Sequence, residues 1–212
     1  MFSQTTGRYR IPDLSSGASF EWETEVKRSR FIAFFSRVSS RAEALSFQKS
    51  LRHQFPDASH HCLAFIAGPP EGNTVLGFDD DGEPGGTAGK PMLNVLQHRE
   101  IGEVAVVVVR YFGGIKLGAG GLVRAYGASV QAGCEVLPLI QCVPMIQGTA
   151  VLDYANEQVF RHVLEAVAGK IIKCDYTHEV VILIELPEVS RNNFTSRITE
   201  SLKGQITLYW QD

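Results

Sequence analysis

The sequence predicts an α+β protein of two domains, and three observations carry that reading. Residues 104–109, VAVVVV, form an unbroken and mostly β-branched apolar run, as in a strand buried on both faces. Residues 20–26 alternate Phe20, Trp22, Thr24 and Val26 with Glu21, Glu23 and Glu25, the period of two of a half-exposed strand. From Met145 the pattern changes to strand, helix, strand, strand, helix, strand over about seventy residues, which is the ferredoxin-like order.

In chain order, residues 1–17 mix Ser, Thr, Gly and Arg with little periodicity and read as a flexible leader or an extended arm. The strand at 20–26 meets a basic turn, Lys27-Arg28-Ser29-Arg30, and a second strand at 31–38, so a hairpin is expected. Ser40 and Glu43 fit a capping box for a helix that Pro56 stops. A short strand follows at 61–67, with His60, His61 and Cys62 at its entrance. Pro91 suits the first turn of a helix over 89–97, whose apolar side is Met92, Leu93, Val95 and Leu96, and Thr87 is placed to cap it. After the buried strand comes a glycine-rich loop. A helix then carries Leu122, Ala125, Tyr126, Ser129 and Val130 on one side and Arg124 off that stripe. Residues 136–144 read as the last strand of a first domain, 18–144, and the exit to a second, 145–212. In the second, Val159, Val163 and Val167 stripe one helix, and Phe194, Ile198 and Leu202 the other.

Composition narrows the function classes. A chain of 212 residues with 44% hydrophobic content can bury a core in one large or two modest domains. Residues 1–144 hold 14 Lys+Arg and 14 Asp+Glu, and residues 145–212 hold 6 and 9. Neither part is a basic domain, so indiscriminate duplex binding is excluded on charge and only a local basic patch remains open. Cys62, Cys134, Cys142 and Cys174 show no C-x-x-C spacing and sit among apolar residues, which reads as buried free thiols. No apolar run approaches the ~20 residues of a membrane helix, and the N-terminus lacks an apolar signal core. A cytoplasmic protein with no membrane partner and no cofactor is expected.

Chemistry concentrates between Phe78 and Tyr126, a stretch with ten glycines. Arg110 and Tyr111 leave the buried strand, followed by Gly113, Gly114, Lys116, Gly118, Gly120 and Gly121, then Arg124 in the helix. Loops of this kind bring backbone N–H groups close to a bound group, and the following helix adds free N–H groups and a positive dipole end. An anion is the expected guest. Arg124, expected in the first turn of that helix, opposes the dipole, which a bound anion or an acidic partner would repair.

Upstream, Asp79, Asp80, Asp81, Gly82 and Glu83 resemble neither an EF-hand nor a P-loop. The twelfth residue from Asp79 is Lys90, and Lys90 is followed by Pro91. His60 is expected to line the same site as this acidic segment, together with Thr87 and Lys90. His60 and Cys62 could share a metal ion only with two further ligands from elsewhere, so no metal site is assigned.

The segments DDGEPGGTAGKP and VRYFGGIKLGAGGLVRAY, with SRFIAF upstream, resemble the YigZ/IMPACT family in two long motifs in the same order. The resemblance covers most of the chain from about Glu21. It implies an N-terminal domain similar to ribosomal protein S5 domain 2, a fold with a left-handed βαβ crossover, and a ferredoxin-like domain resembling the last domain of elongation factor G. It also implies a loose tie to control of translation, and it brings no catalytic mechanism. Eukaryotic members carry a further N-terminal partner-binding domain, so their partner does not carry over.

The preferred reading is therefore a non-catalytic RNA- or ribosome-associated protein whose glycine loop, with Arg110, Lys116 and Arg124, holds backbone phosphate. One alternative is an enzyme on a small phosphorylated or anionic substrate, using residues 79–83 and Lys90. Another is a protein–protein regulator. Against all three stands an internal ion-pair network, in which Arg110, Lys116 or Arg124 neutralise the acidic segment and fix the crossover.

Overall fold

The computed structural model describes residues 8–70 and 74–211. They gather into two compact units, one spanning Tyr9–Cys142 and one built on residues 143–211. The first contains, in order, β1 (Tyr9–Pro12), β2 (Phe20–Val26), β3 (Ser29–Arg37), α1 (Arg41–Gln54), β4 (His60–Ala67), β5 (Val75–Asp79), α2 (Gly89–His98), β6 (Val104–Tyr111), α3 (Ala119–Val136) and β7 (Leu139–Cys142). Five strands form an antiparallel sheet in the order β2-β3-β6-β4-β5.

The centre of that sheet explains the unbroken apolar run. Val104, Val106 and Val108 enter a core shared with Met92, Leu93 and Leu96 of α2 and Leu122, Ala125, Tyr126 and Val130 of α3. Ala105, Val107 and Val109 enter a second core, with Ala44 and Leu51 of α1. A strand covered on both faces has no wet side to mark with polar residues. Each fully buried Val adds roughly 1.5–2 kcal/mol of burial. At its exit, Arg110 is carried inward by the same alternation.

Several sequence expectations are corrected in this unit. Residues 9–12 are not part of a loose leader: β1 pairs antiparallel with β7, and Ile11 is buried. Residues 1–7 lie outside the described residues. The segment at 136–144 thus closes a two-stranded sheet with β1 and does not extend the main one. β5, at the edge of the sheet, is a strand to which no element was assigned from sequence. Ser40 does cap α1, its Oγ accepting from the Glu43 N–H at 3.2 Å, but the Glu43 carboxylate returns to the Ser39 N–H at 2.7 Å, one residue earlier than the usual box.

The second unit holds β8 (Met145–Leu152), α4 (Glu157–Glu165), β9 (Lys170–Tyr176), β10 (Val180–Pro187), α5 (Arg191–Ser201) and β11 (Thr207–Trp210). Its sheet order is β11-β8-β10-β9, the ferredoxin-like arrangement, with every pair antiparallel. Val180, Ile182, Ile184 and Leu186 alternate into a core against both helices. Of the stripe expected on α4, Val163 and Val167 are buried but Val159 is exposed, and Phe160 and Leu164 are buried beside them, Phe160 edge-on to Phe194 at 5.7 Å. A short 3-10 turn at Tyr154–Asn156 precedes α4. No helix among the described residues is long and apolar enough to cross a membrane.

Candidate anion site and its buried support

The acidic segment and the exit of β6 meet, as a central β6 requires, but each side chain has a distinct task. Asp80 caps α2 from outside the helix. Its carboxylate accepts the N–H groups of Gly86 at 2.6 Å, Ala88 at 3.0 Å and Gly89 at 2.8 Å. These include the first donors of the helix, where a carboxylate is most favourable. Thr87 does not cap that helix. It is buried, with its hydroxyl donating to the Pro84 carbonyl at 2.7 Å, and the N-cap position falls on Ala88.

Asp79 and Asp81 are held by α1 and β4. Asp79 accepts from Gln48 Nε2 at 2.9 Å and from the Asp81 N–H at 3.0 Å, while Arg52 lies 2.7 Å from Asp81 and 3.5 Å from Asp79. The Asp81 carboxylate also accepts the His61 N–H. Asp81 and Gly82 both take positive φ, 44° and 84°, which folds the segment back towards His60. His60 donates from Nδ1 to the Asp81 carbonyl at 2.8 Å, which leaves Nε2 facing Glu83 at 3.8 Å.

Glu83 is the buried centre of this arrangement. Its Oε1 accepts directly from Arg110 Nη1 and, at 2.7 Å, from the Tyr126 hydroxyl of α3. The Cys62 thiol donates to the Tyr126 oxygen at 3.3 Å, and burial pushes the Cys62 thiol and the Tyr126 phenol well above their ordinary values. Arg110 is 5% exposed and lies over the Phe31 ring at 5.4 Å. Its Nε finds no acceptor among the described residues. Removing either charge would strand the other in a dry site.

Arg110 therefore faces inward, and the expectation that it contacts solvent-borne phosphate gives way to this pair. Tyr111 points to the opposite face, its hydroxyl 3.2 Å from Asp57 and its ring under Arg30 at 5.4 Å.

The loop beyond β6 is built differently. The Gly113 N–H donates to Ser29 Oγ at 3.1 Å, and a Cβ at Gly113 would collide with the carbonyl of Arg28, so only glycine lets the loop lie against the β2–β3 turn. Gly114 follows with open space where a side chain would be. Gly118 takes φ 70° at the N-cap of α3, a conformation that disfavours the Ser, Thr or Asp that would ordinarily cap a helix. The first N–H bonded back is that of Leu122, to the Gly118 carbonyl at 2.9 Å, and the first turn, with Gly120 and Gly121, carries no acid. Lys116 and Arg124 are exposed, and neither makes an ion pair among the described residues. Arg124 is the sixth residue of α3, in its second turn rather than its first. Its side chain leans back so that Nη1 lies 3.6 Å from where a Gly120 Cβ would be, as the N-terminal tilt of helical side chains favours. Lys90, in the first turn of α2, is exposed and unpaired among the described residues.

Comparison with known proteins fixes the lineage. Residues 27–134 match the Impact N-terminal domain, just over half of the chain, and residues 151–205 match a domain of unknown function, DUF1949. The chain belongs to the IMPACT family. It is 40% identical over 184 residues to the IMPACT family member YigZ of Escherichia coli, covering 87% of this chain and 90% of that one. To the IMPACT family member YvyE of Bacillus subtilis it is 37% identical, covering 87% and 84%. A crystal structure of a hypothetical protein, 37% identical, superposes with a TM-score of 0.66 over 97% of this chain and 98% of that one. Within this IMPACT-family framework, several participants were not singled out from sequence. Arg52 and Gln48 show no local signal for their long-range partners. The Tyr126 hydroxyl did carry one, because a tyrosine on a core stripe needs a polar partner.

Proposed function

We propose that this IMPACT-family chain is a non-catalytic, cytoplasmic RNA- or ribosome-associated protein that holds backbone phosphate at the start of α3. One observation carries the reading. The α3 N-terminus combines an uncapped first turn, a glycine N-cap and two exposed bases, Lys116 and Arg124, that no carboxylate among the described residues neutralises. Free N–H groups, the helix dipole and two cations together favour an anion, and a phosphate is the anion that such helix starts commonly bind. The tie to translation implied by the family resemblance favours RNA over a free metabolite. The acidic segment gives less to an enzymatic reading, because Asp79, Asp80, Asp81 and Glu83 already accept hydrogen bonds from the protein.

Titration of short labelled RNA at two salt concentrations tests this, alongside co-sedimentation with ribosomes. Two phosphate contacts give a slope of log affinity on log salt of about −1.4. Lys116→Ala with Arg124→Ala is expected to flatten that slope while the unfolding midpoint stays put. Binding to neither RNA nor ribosomes at low salt overturns the proposal. The protein-regulator alternative draws on the exposed Val75, Leu76 and Phe78 of edge strand β5, which a partner strand would cover. Binding that survives high salt and is lost on Phe78→Lys favours it.

A further inference from the structure

We propose that the surface formed by Lys27, Arg28, Phe112, Lys116 and Arg124 takes single-stranded RNA, with one unstacked base lying on the Phe112 ring. The proposal rests on the phosphate reading above and adds a base subsite and two further phosphate contacts on the β2–β3 turn.

Three observations meet here. The turn and the glycine loop are one surface, because Gly113 lies directly against the Arg28 carbonyl and its N–H is bonded to Ser29 Oγ. Lys27 and Arg28 form the tip of that turn in left-handed conformations, φ 47° and 67°, and both are exposed. Neither pairs with a carboxylate among the described residues, whereas the neighbouring Arg30 is held by Glu23 at 2.7 Å and is not available. Phe112, next to Gly113 in the chain, is 50% exposed, while Arg110 is 5% exposed with its guanidinium 5.8 Å from the ring centroid. The outward face of the ring is therefore open, and a cation supports its other side.

An exposed aromatic ring next in sequence to the glycine that lies on a cationic turn, in a loop that carries Lys116 towards α3 and Arg124, with none of these four cations paired among the described residues, matches a nucleic acid whose bases are unstacked. Stacking on aromatic rings combined with backbone contacts is how single strands are held without base-edge readout. A duplex offers phosphates but keeps its base faces covered, so it can use the cations and not the ring.

The test measures fluorescence anisotropy of the full chain with labelled oligouridine, and with an abasic strand of the same length and charge. Oligouridine is expected to bind roughly 5- to 100-fold more tightly than the abasic strand. Phe112→Ala removes that difference while leaving binding of inorganic phosphate unchanged. Replacing the turn by Asn-Gly, Lys27→Asn with Arg28→Gly, keeps its left-handed backbone. It is expected to make the salt slope shallower by about 1.4 for both strands. Equal affinity of the wild-type chain for the two strands overturns the base subsite, and leaves the phosphate reading standing if Lys116→Ala with Arg124→Ala weakens both. Oligoglutamate of equal charge binding as tightly as oligouridine overturns the nucleic-acid assignment. No binding of oligouridine, abasic strand or inorganic phosphate overturns this proposal and the phosphate reading together.

Discussion

Helices α2 and α3 both follow glycine-rich turns, and both start beside the same end of the sheet, but their N-termini are treated in opposite ways. At α2 the chain supplies its own anion: Asp80 reaches across from the acidic segment and takes three backbone N–H groups. At α3 no acid among the described residues does so, and Lys116 and Arg124 stand where acids would be favourable. The same division separates the two arginines of the segment VRYFGGIKLGAGGLVRAY. Arg110 is consumed by Glu83 inside the protein, and Arg124 is left to solvent. One half of the motif is therefore structural and satisfied, and that half fixes the position of the half that is open.

The largest effect expected from breaking this comparison is at Glu83. Glu83→Ala leaves the Arg110 guanidinium buried without a counter-charge, and the Tyr126 hydroxyl without its acceptor. A loss of about 3–5 kcal/mol is expected in urea unfolding. If the Arg110 side chain instead swings out to solvent the loss falls near 1 kcal/mol, and the view that this pair supports the loop fails. Replacing both partners by apolar residues, Glu83→Leu with Arg110→Met, should recover most of the stability, because it is the unpaired charge that is costly.

Next in size is Asp80→Ala, which removes the acceptor of three donors at the start of α2. The expected cost is about 2 kcal/mol. Hydrogen exchange locates it: the amides of Gly86, Ala88 and Gly89 should lose protection well before those of α3. Uniform loss of protection across both helices would mean that Asp80 acts on the global fold and not on one helix end.

How much of this was readable beforehand follows from the range of the interactions. The strands and helices rest on periodicity and local capping, so β2, β6 and the ferredoxin-like order were legible from residues close in sequence. On α4 the apolar residues 159, 160, 163, 164 and 167 allow two overlapping stripes, so Val163 and Val167 were placed rightly and Val159 was not. The candidate site was half legible. Glycines and charges announced unusual backbone, but whether a given charge faces in or out depends on strand parity and distant partners. Arg110 turns inward because it continues the alternation of Val106 and Val108, and Glu83 lies 27 residues away in sequence. The β1–β7 pairing joins residues still further apart, which no local pattern signals.

A smaller effect of opposite sign is expected when α3 is given what α2 has. Gly120 is the second residue of α3, and a Cβ there meets only Arg124 Nη1 at 3.6 Å. Gly120→Glu places a carboxylate in the first turn, four residues before Arg124, and replaces a poor helix former. Stability should rise by about 1 kcal/mol, while RNA and phosphate affinity fall. A variant that is more stable and binds as well as wild type would break the link between the uncapped helix start and the anion.

The smallest stability change, and the sharpest discrimination, is at Arg124. An exposed cation near a helix start is unfavourable by a few tenths of a kcal/mol, and Ala is the better helix former by a similar margin. Arg124→Ala is therefore expected to leave stability unchanged or raise it slightly in low salt, with that gain disappearing as salt screens the dipole. RNA affinity is expected to move the other way, with the salt slope shallower by about 0.7. A structural role for Arg124 gives a different pair of results: lost stability, and a salt slope equal to that of wild type. The two quantities are measured independently, by denaturant unfolding and by anisotropy titration, so the side chain cannot satisfy both accounts at once. Opposed changes in stability and affinity mark a residue that the fold tolerates for the sake of its ligand.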